Sequence, residues 1–333
     1  MFGISKATHR AVGFARGLVA PAAVGRWVRR DEAIMGTAIG VELWSEDHAA
    51  SEAAIDAVMD EMHRIDRAMS PFKPDSELSR INRDAAAGPV RVSEEMFALL
   101  TRALEFSQLS DGAFDVTYAG VGHLYDYREH VRPADDVLVR ARAAVGHRHL
   151  LLDRLARTVR FAREGVRIDL GGFAKGHAVD NAAAILRRRG IRHAHVAAGG
   201  DSRVIGDRRG RPWTIGVRHP RRPGEVVAVL PLEDTAISTS GDYERYFEAD
   251  GHRFHHVIDP NTGRSPTGVH SVTILAEDGL TTEALSKTVF VLGVEKGLRL
   301  VESLGAVDAV VVDAAGQLHY SSGLLAGGRP TRQ

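Results

Sequence analysis

The sequence predicts an α+β protein with mixed sheets packed with helices in a single two-lobed domain. Three observations predict it. Alternating apolar residues mark short strands, as where Thr37, Ile39, Val41 and Leu43 share one face. Apolar stripes at three- and four-residue steps mark helices, as at Ile55, Val58, Met59, Met62, Ile65 and Met69. Both kinds of segment intermix along 333 residues with no internal repeat and no long linker. A chain of that length buries a sizeable core.

The elements follow in order. Residues 1–30 carry six bases and no acid, leaving 37 bases against 43 acids beyond them. This basic stretch reads as disordered or as a degenerate targeting segment. Arg16 splits its apolar run, and no clean hydrophobic core precedes a small-residue cleavage site. The domain is expected over 31–322, with a flexible tail over 323–333. Met35-Gly36-Thr37 opens the first strand, and a helix runs from about residue 47 to 69. Pro71 and Pro74 fix a loop, after which Asp75 or Ser76 caps a short helix. A second amphipathic helix follows Ser93, with Met96, Leu99, Leu100 and Leu104 inward, and ends near Asp111-Gly112. A meander is expected from 150–152, 158–161 and 166–170. Strands follow around 213–217, 226–232, 236–240 and 272–275, then a helix from about Thr282 and a late strand over 307–312.

Composition excludes several classes. Cysteine is absent, which removes disulfides, Cys-based zinc sites, thiol catalysis and a lipobox-type lipid anchor. A net charge of zero argues against nucleic acid as a partner. No apolar run approaches the ~20 residues of a transmembrane segment. The compartment stays open between cytoplasm and cell envelope. Neither a G-x-G-x-x-G nor a phosphate-loop motif is present, and no G-x-S-x-G elbow. His193 with His195, and His255 with His256, form no metal-binding framework of known spacing.

The most chemically suggestive stretch is Arg167–Gly176, R-I-D-L-G-G-F-A-K-G. It reads as a strand, a glycine turn at Gly171-Gly172, and a helix start. Asp169, Lys175 and Asp180 set opposite charges around the turn. Backbone N–H groups at a helix start suit an anion such as phosphate.

Eight blocks, in family order, resemble the FAD:protein FMN transferase or ApbE family. They are Met35-Gly36-Thr37, Ser76–Asn82 (S-E-L-S-R-I-N), Gly112-Ala113-Phe114-Asp115, Asp169–Gly176 (D-L-G-G-F-A-K-G), Gly199-Gly200-Asp201, Thr239–Tyr243 (T-S-G-D-Y), His256–Pro260 with Thr262-Gly263, and Phe290–Gly293 (F-V-L-G). The resemblance implies an extended groove for FAD. It implies transfer of the FMN half to a Thr or Ser of an acceptor flavoprotein, with release of AMP. By the same resemblance Met35, Phe72, Ala113, Phe114, Asp115, Asp169, Lys175 and Ile258 contact FAD. Phe72 stands where the family often has tyrosine, which keeps a stacking face and loses a hydroxyl. His256 takes the place of the base for the acceptor hydroxyl.

The resemblance also implies Mg2+, held by the Gly172 carbonyl and by an Asp and a Thr in Ala-Asp-Ala-Leu-x-Thr. Here that segment is Thr282-Glu283-Ala284-Leu285-Ser286-Lys287. Glu283 replaces the aspartate and retains the chemistry of a ligand. Lys287 occupies the threonine position, and a charged lysine has donors only. At i,i+4 the two are expected to pair, the ammonium taking part of the ion's volume and charge. Two further outcomes therefore stay open: an FAD-binding member with weak or no transfer, and hydrolysis of FAD to FMN and AMP.

Overall fold

A computed structural model describes residues 25–325. Its centre is an eight-stranded sheet in which sequence order is also spatial order. The strands are Arg26–Ile34, Thr37–Ser45, Ala194–Ala198, Asp201–Ile205, Ala236–Gly241, Val269–Ala276, Asp308–Asp313 and Leu318–Tyr320. Each neighbouring pair is antiparallel.

Period-two alternation sets the two faces. Ile39, Val41 and Leu43 are fully buried, and so are Ile55, Val58, Met62 and Ile65 of the helix His48–Met69 beside them. Burying each such side chain contributes about 1.5–3 kcal/mol. This helix, Ala174–Arg188 and Gly279–Leu304 pack side by side on that face of the sheet. Val204, Ile237 and Leu275 join a second core with Trp213, Val217, Leu230 and Leu232 of the hairpin Trp213–Arg218 and Val226–Leu232.

The cap expected at Asp75 or Ser76 falls on Ser76, and two further caps stand at the helix starts expected near Asp47 and Ser93. Asp47, Ser76 and Ser93 accept N–H bonds from Ala50, Ser79 and Met96 at 3.0, 3.0 and 3.1 Å, opening His48–Met69, Glu77–Asp84 and Glu94–Leu109. Three expectations need correction. The strand Arg26–Ile34 begins inside the basic segment assigned to 1–30 and pairs along its whole length with Thr37–Ser45; residues 1–24 lie outside the described residues. Residues 166–170 form no ladder. Their neighbours are a side chain and a loop: Asn82 brackets Ile168 with two bonds of 2.9 and 2.8 Å, and the Asp169 N–H reaches the Val116 carbonyl at 3.0 Å. Residues 322–325 form a helical turn, and the rest of the expected tail lies outside the described residues.

The long helix starts at Gly279, three residues before the expected Thr282, because Asp278 caps it through the Thr281 N–H at 2.7 Å. It is interrupted at Gly293, whose φ of 76° is left-handed.

Candidate active site

Two helix starts touching backbone to backbone create the site's rigid base. A methyl group at Gly176 would fall 2.2 Å from the Gly279 carbonyl oxygen, so only glycine allows the approach. Each helix then caps the other. Glu283 Oε2 accepts the Gly176 N–H at 2.7 Å, and Asp180 accepts the Gly279 and Leu280 N–H groups at 2.8 and 3.0 Å. An acid facing unpaired N–H groups at a helix start is the favourable sign for the helix dipole.

Inside this crossing lies a closed charge network. Lys175 Nζ donates to Asp201 Oδ2 at 2.6 Å and to Glu283 Oε1 at 2.5 Å. Asp201 Oδ1 accepts from Ser238 at 2.5 Å, and Ser238 and Ser240 share the Ser286 hydroxyl at 3.1 and 2.8 Å. Glu283 and Asp201 are buried. Burial opposes charging of both Lys175 and Asp201, yet their attraction wins: Lys175 is raised and Asp201 lowered, so both are ionised. Lys287 Nζ stands farther off, 3.5 Å from Glu283 Oε1.

Above the network opens a cleft. The residues lining it include Ala113, Phe114, Asp115, Asp169, Gly172, His256, Ile258 and Lys287. Phe114 lines it and is backed by the buried rings of Phe106 and Phe173, with ring centres 5.6–6.1 Å apart. Asp169 accepts the Gly171 N–H at 2.5 Å and the Tyr118 hydroxyl at 3.3 Å, and burial raises its pKa. The Asp115 carboxylate is engaged by the Thr117 N–H and hydroxyl and by the His147 N–H, at 2.8, 2.6 and 2.5 Å, so it holds its loop.

The adjacent histidines separate by strand parity. His255 is core: Nε2 meets the Pro266 carbonyl at 2.9 Å and the ring packs edge-on to Phe290. His256 turns to the cleft, with Nδ1 buried and without a hydrogen-bond partner. Burial first, then the charge of Lys287, pushes its pKa down to about 3, so the ring is neutral.

Four expected residues do not line the cleft. Lys175 and Glu283 lie beneath it, in the network. Phe72 is 89% exposed on its loop. Met35 makes the two-residue turn between Ile34 and Thr37 with a φ of 55°, followed by Gly36 at 68°. That turn favours Asn-Gly, and left-handed strain at a methionine is a mark of a functional position. Sequence reasoning missed Arg245. Its charge bears on Tyr118, Asp169 and His256, and its guanidinium lies 3.7 Å from where a methyl on Gly36 would sit. The only available signal was its place just after Thr239–Tyr243. Asp201 appeared in a matched block but without its partners.

The ApbE family model matches residues 35–311. The chain belongs to the ApbE family. Among ApbE relatives, the FAD:protein FMN transferase of Treponema pallidum is 32% identical over 89% of this chain and 87% of its own length. That of Haemophilus influenzae is 34% identical over 80% and 81%. The crystal structure of the ApbE protein from Thermotoga maritima superimposes with a TM-score of 0.85 at 33% identity, covering 92% of this chain and all (100%) of the other. The flavin transferase ApbE from Vibrio cholerae gives 0.82 at 30% identity, over 91% and 99%.

The metal expected from the family does not fit these residues. Both oxygens of Glu283 and both of Asp201 are already engaged, and Lys287 lies across Gly172, the other expected ligand. Among the described residues, no three His, Asp or Glu side chains are grouped to hold a metal ion. A dication about 4 Å from one ammonium is opposed by roughly 8 kcal/mol at an effective dielectric of about 20.

Proposed function

We propose that this chain transfers the FMN half of FAD to a threonine or serine of a partner protein. The observation that carries the reading is a cleft-facing His256, its Nδ1 without a hydrogen-bond partner, in the same cleft as Lys287 and the Gly171-Gly172 turn. A threonine hydroxyl is a poor nucleophile at neutral pH, and a neutral imidazole accepts its proton. The hydroxyl oxygen then bonds to the FMN phosphorus and the phosphoanhydride bond breaks. The bonding pair leaves on the AMP phosphate, and the proton passes from His256 to solvent or to AMP.

On this reading Ala113, Phe114 and Ile258 give the flavin apolar walls, while Met35 and Phe72 close over its exposed side. Asp169 orders the glycine turn for the phosphates. Lys175 acts from below, as the cation that keeps Asp201 charged and holds Asp201 and Glu283 in place. The names of the relatives and the shared fold support the reading.

The test is to incubate the protein with FAD and the protein acceptor of the Vibrio cholerae transferase, following AMP and covalently attached flavin. Equal amounts of both are expected. AMP without labelled acceptor would indicate hydrolysis, and no AMP under any condition would leave only an FAD-binding protein.

A further inference from the structure

We infer that the Lys287 ammonium is the resident cation of this cleft, supporting FMN transfer without a divalent metal. This rests on the transferase reading and concerns which positive charge serves it.

Three observations carry the inference. The Lys287 side chain crosses the glycine turn, its Cγ, Cδ and Cε lying 3.6–3.8 Å from where a methyl on Gly172 would sit. It therefore runs over the start of the Ala174–Arg188 helix, where phosphate is favoured. Second, Lys287 lines the cleft together with His256, so a cation and a base face the same space. Third, the charges beneath already balance. Lys175 and Lys287 stand against two buried acids, Asp201 and Glu283; burial lowers the Lys287 pKa, and the attraction of Glu283 and Asp201 works against that lowering.

Lys175 takes the short contacts at 2.6 and 2.5 Å, whereas Lys287 holds Glu283 only at 3.5 Å. Its donors therefore remain available to phosphoryl oxygens. Lysine binds phosphate as a point charge, and charge spread over those oxygens during transfer needs such a partner. Glu283 completes the device. Its carboxylate is spent on the Gly176 N–H and Lys175 beneath the cleft, while the acids lining the cleft, Asp115 and Asp169, accept from their own loop and turn.

The experiment compares wild type, Lys287→Met, Lys287→Arg and the double variant Glu283→Asp with Lys287→Thr. Each is assayed with FAD and the Vibrio cholerae acceptor, in Mg2+ and in EDTA. Mn2+ binding is read separately by electron paramagnetic resonance, and folding by circular dichroism. Wild type is expected to work equally in both media and to show no saturable Mn2+ site. Lys287→Met, still folded, is expected to lose about a hundredfold in rate in either medium. Lys287→Arg, which keeps the charge, should retain more. The double variant should gain a Mn2+ site and Mg2+-dependent transfer. A wild type silenced by EDTA, or one binding Mn2+ tightly, overturns the inference and leaves the transferase reading standing. A Lys287→Met rate equal to wild type also overturns it. Absence of AMP from wild type in both media instead defeats the transferase reading itself. If the single variants fail to fold, the EDTA and Mn2+ results on wild type still decide.

Discussion

Replacing Gly176 by alanine drives a methyl group into a place where two helix starts meet backbone to backbone. The new carbon would lie 2.2 Å from the Gly279 carbonyl oxygen, 2.6 Å from its carbon and 2.9 Å from the Leu280 Cα, all backbone atoms. Relief requires the helices to separate by roughly 1 Å, and overpacking of this kind costs about 3 kcal/mol. Alanine's better helix propensity returns about 1 kcal/mol. The net expectation is a loss of about 2 kcal/mol, read as a lower urea midpoint at unchanged slope. The same movement lengthens the 2.5 Å contact between Lys175 and Glu283 and the 2.7 Å cap from Gly176 to Glu283. Misplacement by about 1 Å can cost about a hundredfold in rate, so FMN transfer should fall further than stability alone explains. A Gly176→Ala protein with wild-type midpoint and rate would refute the claim that this crossing positions the site.

Other perturbations separate structure from function. Met35→Asn puts the residue that the Ile34–Thr37 turn favours at a left-handed position; stability should rise by about 1 kcal/mol while FAD affinity, measured by fluorescence titration, falls. Phe72→Ala removes a side chain that is 89% exposed, so the melting curve should move by no more than about 0.5 kcal/mol, and any effect should appear in the KM for FAD. His256 is held neutral by burial and by the nearby charges of Lys287, Arg245 and Lys175, with a pKa of about 3 against about 6.5 unfolded. The unfolded chain therefore binds more protons between those values, so this contribution is intact above about pH 6.5 and is lost as pH falls toward 3. His256→Asn should shrink the stability drop between pH 7 and pH 5 by about 1–2 kcal/mol. An equal drop in both proteins would contradict a neutral buried ring.

Local signals were legible, and long-range partnerships were not. Asp47, Ser76 and Ser93 announce their helices because a cap bonds within three residues of itself. The Gly171-Gly172 turn and the cleft position of His256 were readable from local pattern and block order. The pairing of Lys175 with Asp201 and Glu283 joins positions 26 and 108 residues apart. The packing of Ala174–Arg188 against Gly279–Leu304 and against Asp201–Ile205 brings them together, and nothing in any one segment names the others. Residues 166–170 alternate like a strand, yet the alternation reports a buried face and not a ladder partner. Arg245 escaped because an exposed arginine after a turn looks like any solvated charge. The sequence pairing of Glu283 with Lys287 is present at 3.5 Å. Helix spacing alone did not reveal that Glu283 makes its shorter contact with Lys175.

One cleft joins a base to a flavin pyrophosphate and passes FMN to a protein hydroxyl. The most direct measurement counts AMP released against flavin covalently attached to the Vibrio cholerae acceptor, in wild type and in His256→Asn. One AMP per attached flavin is expected in wild type, and loss of both products together in a folded His256→Asn protein. Attached flavin without AMP, or an unchanged yield from His256→Asn, would contradict it.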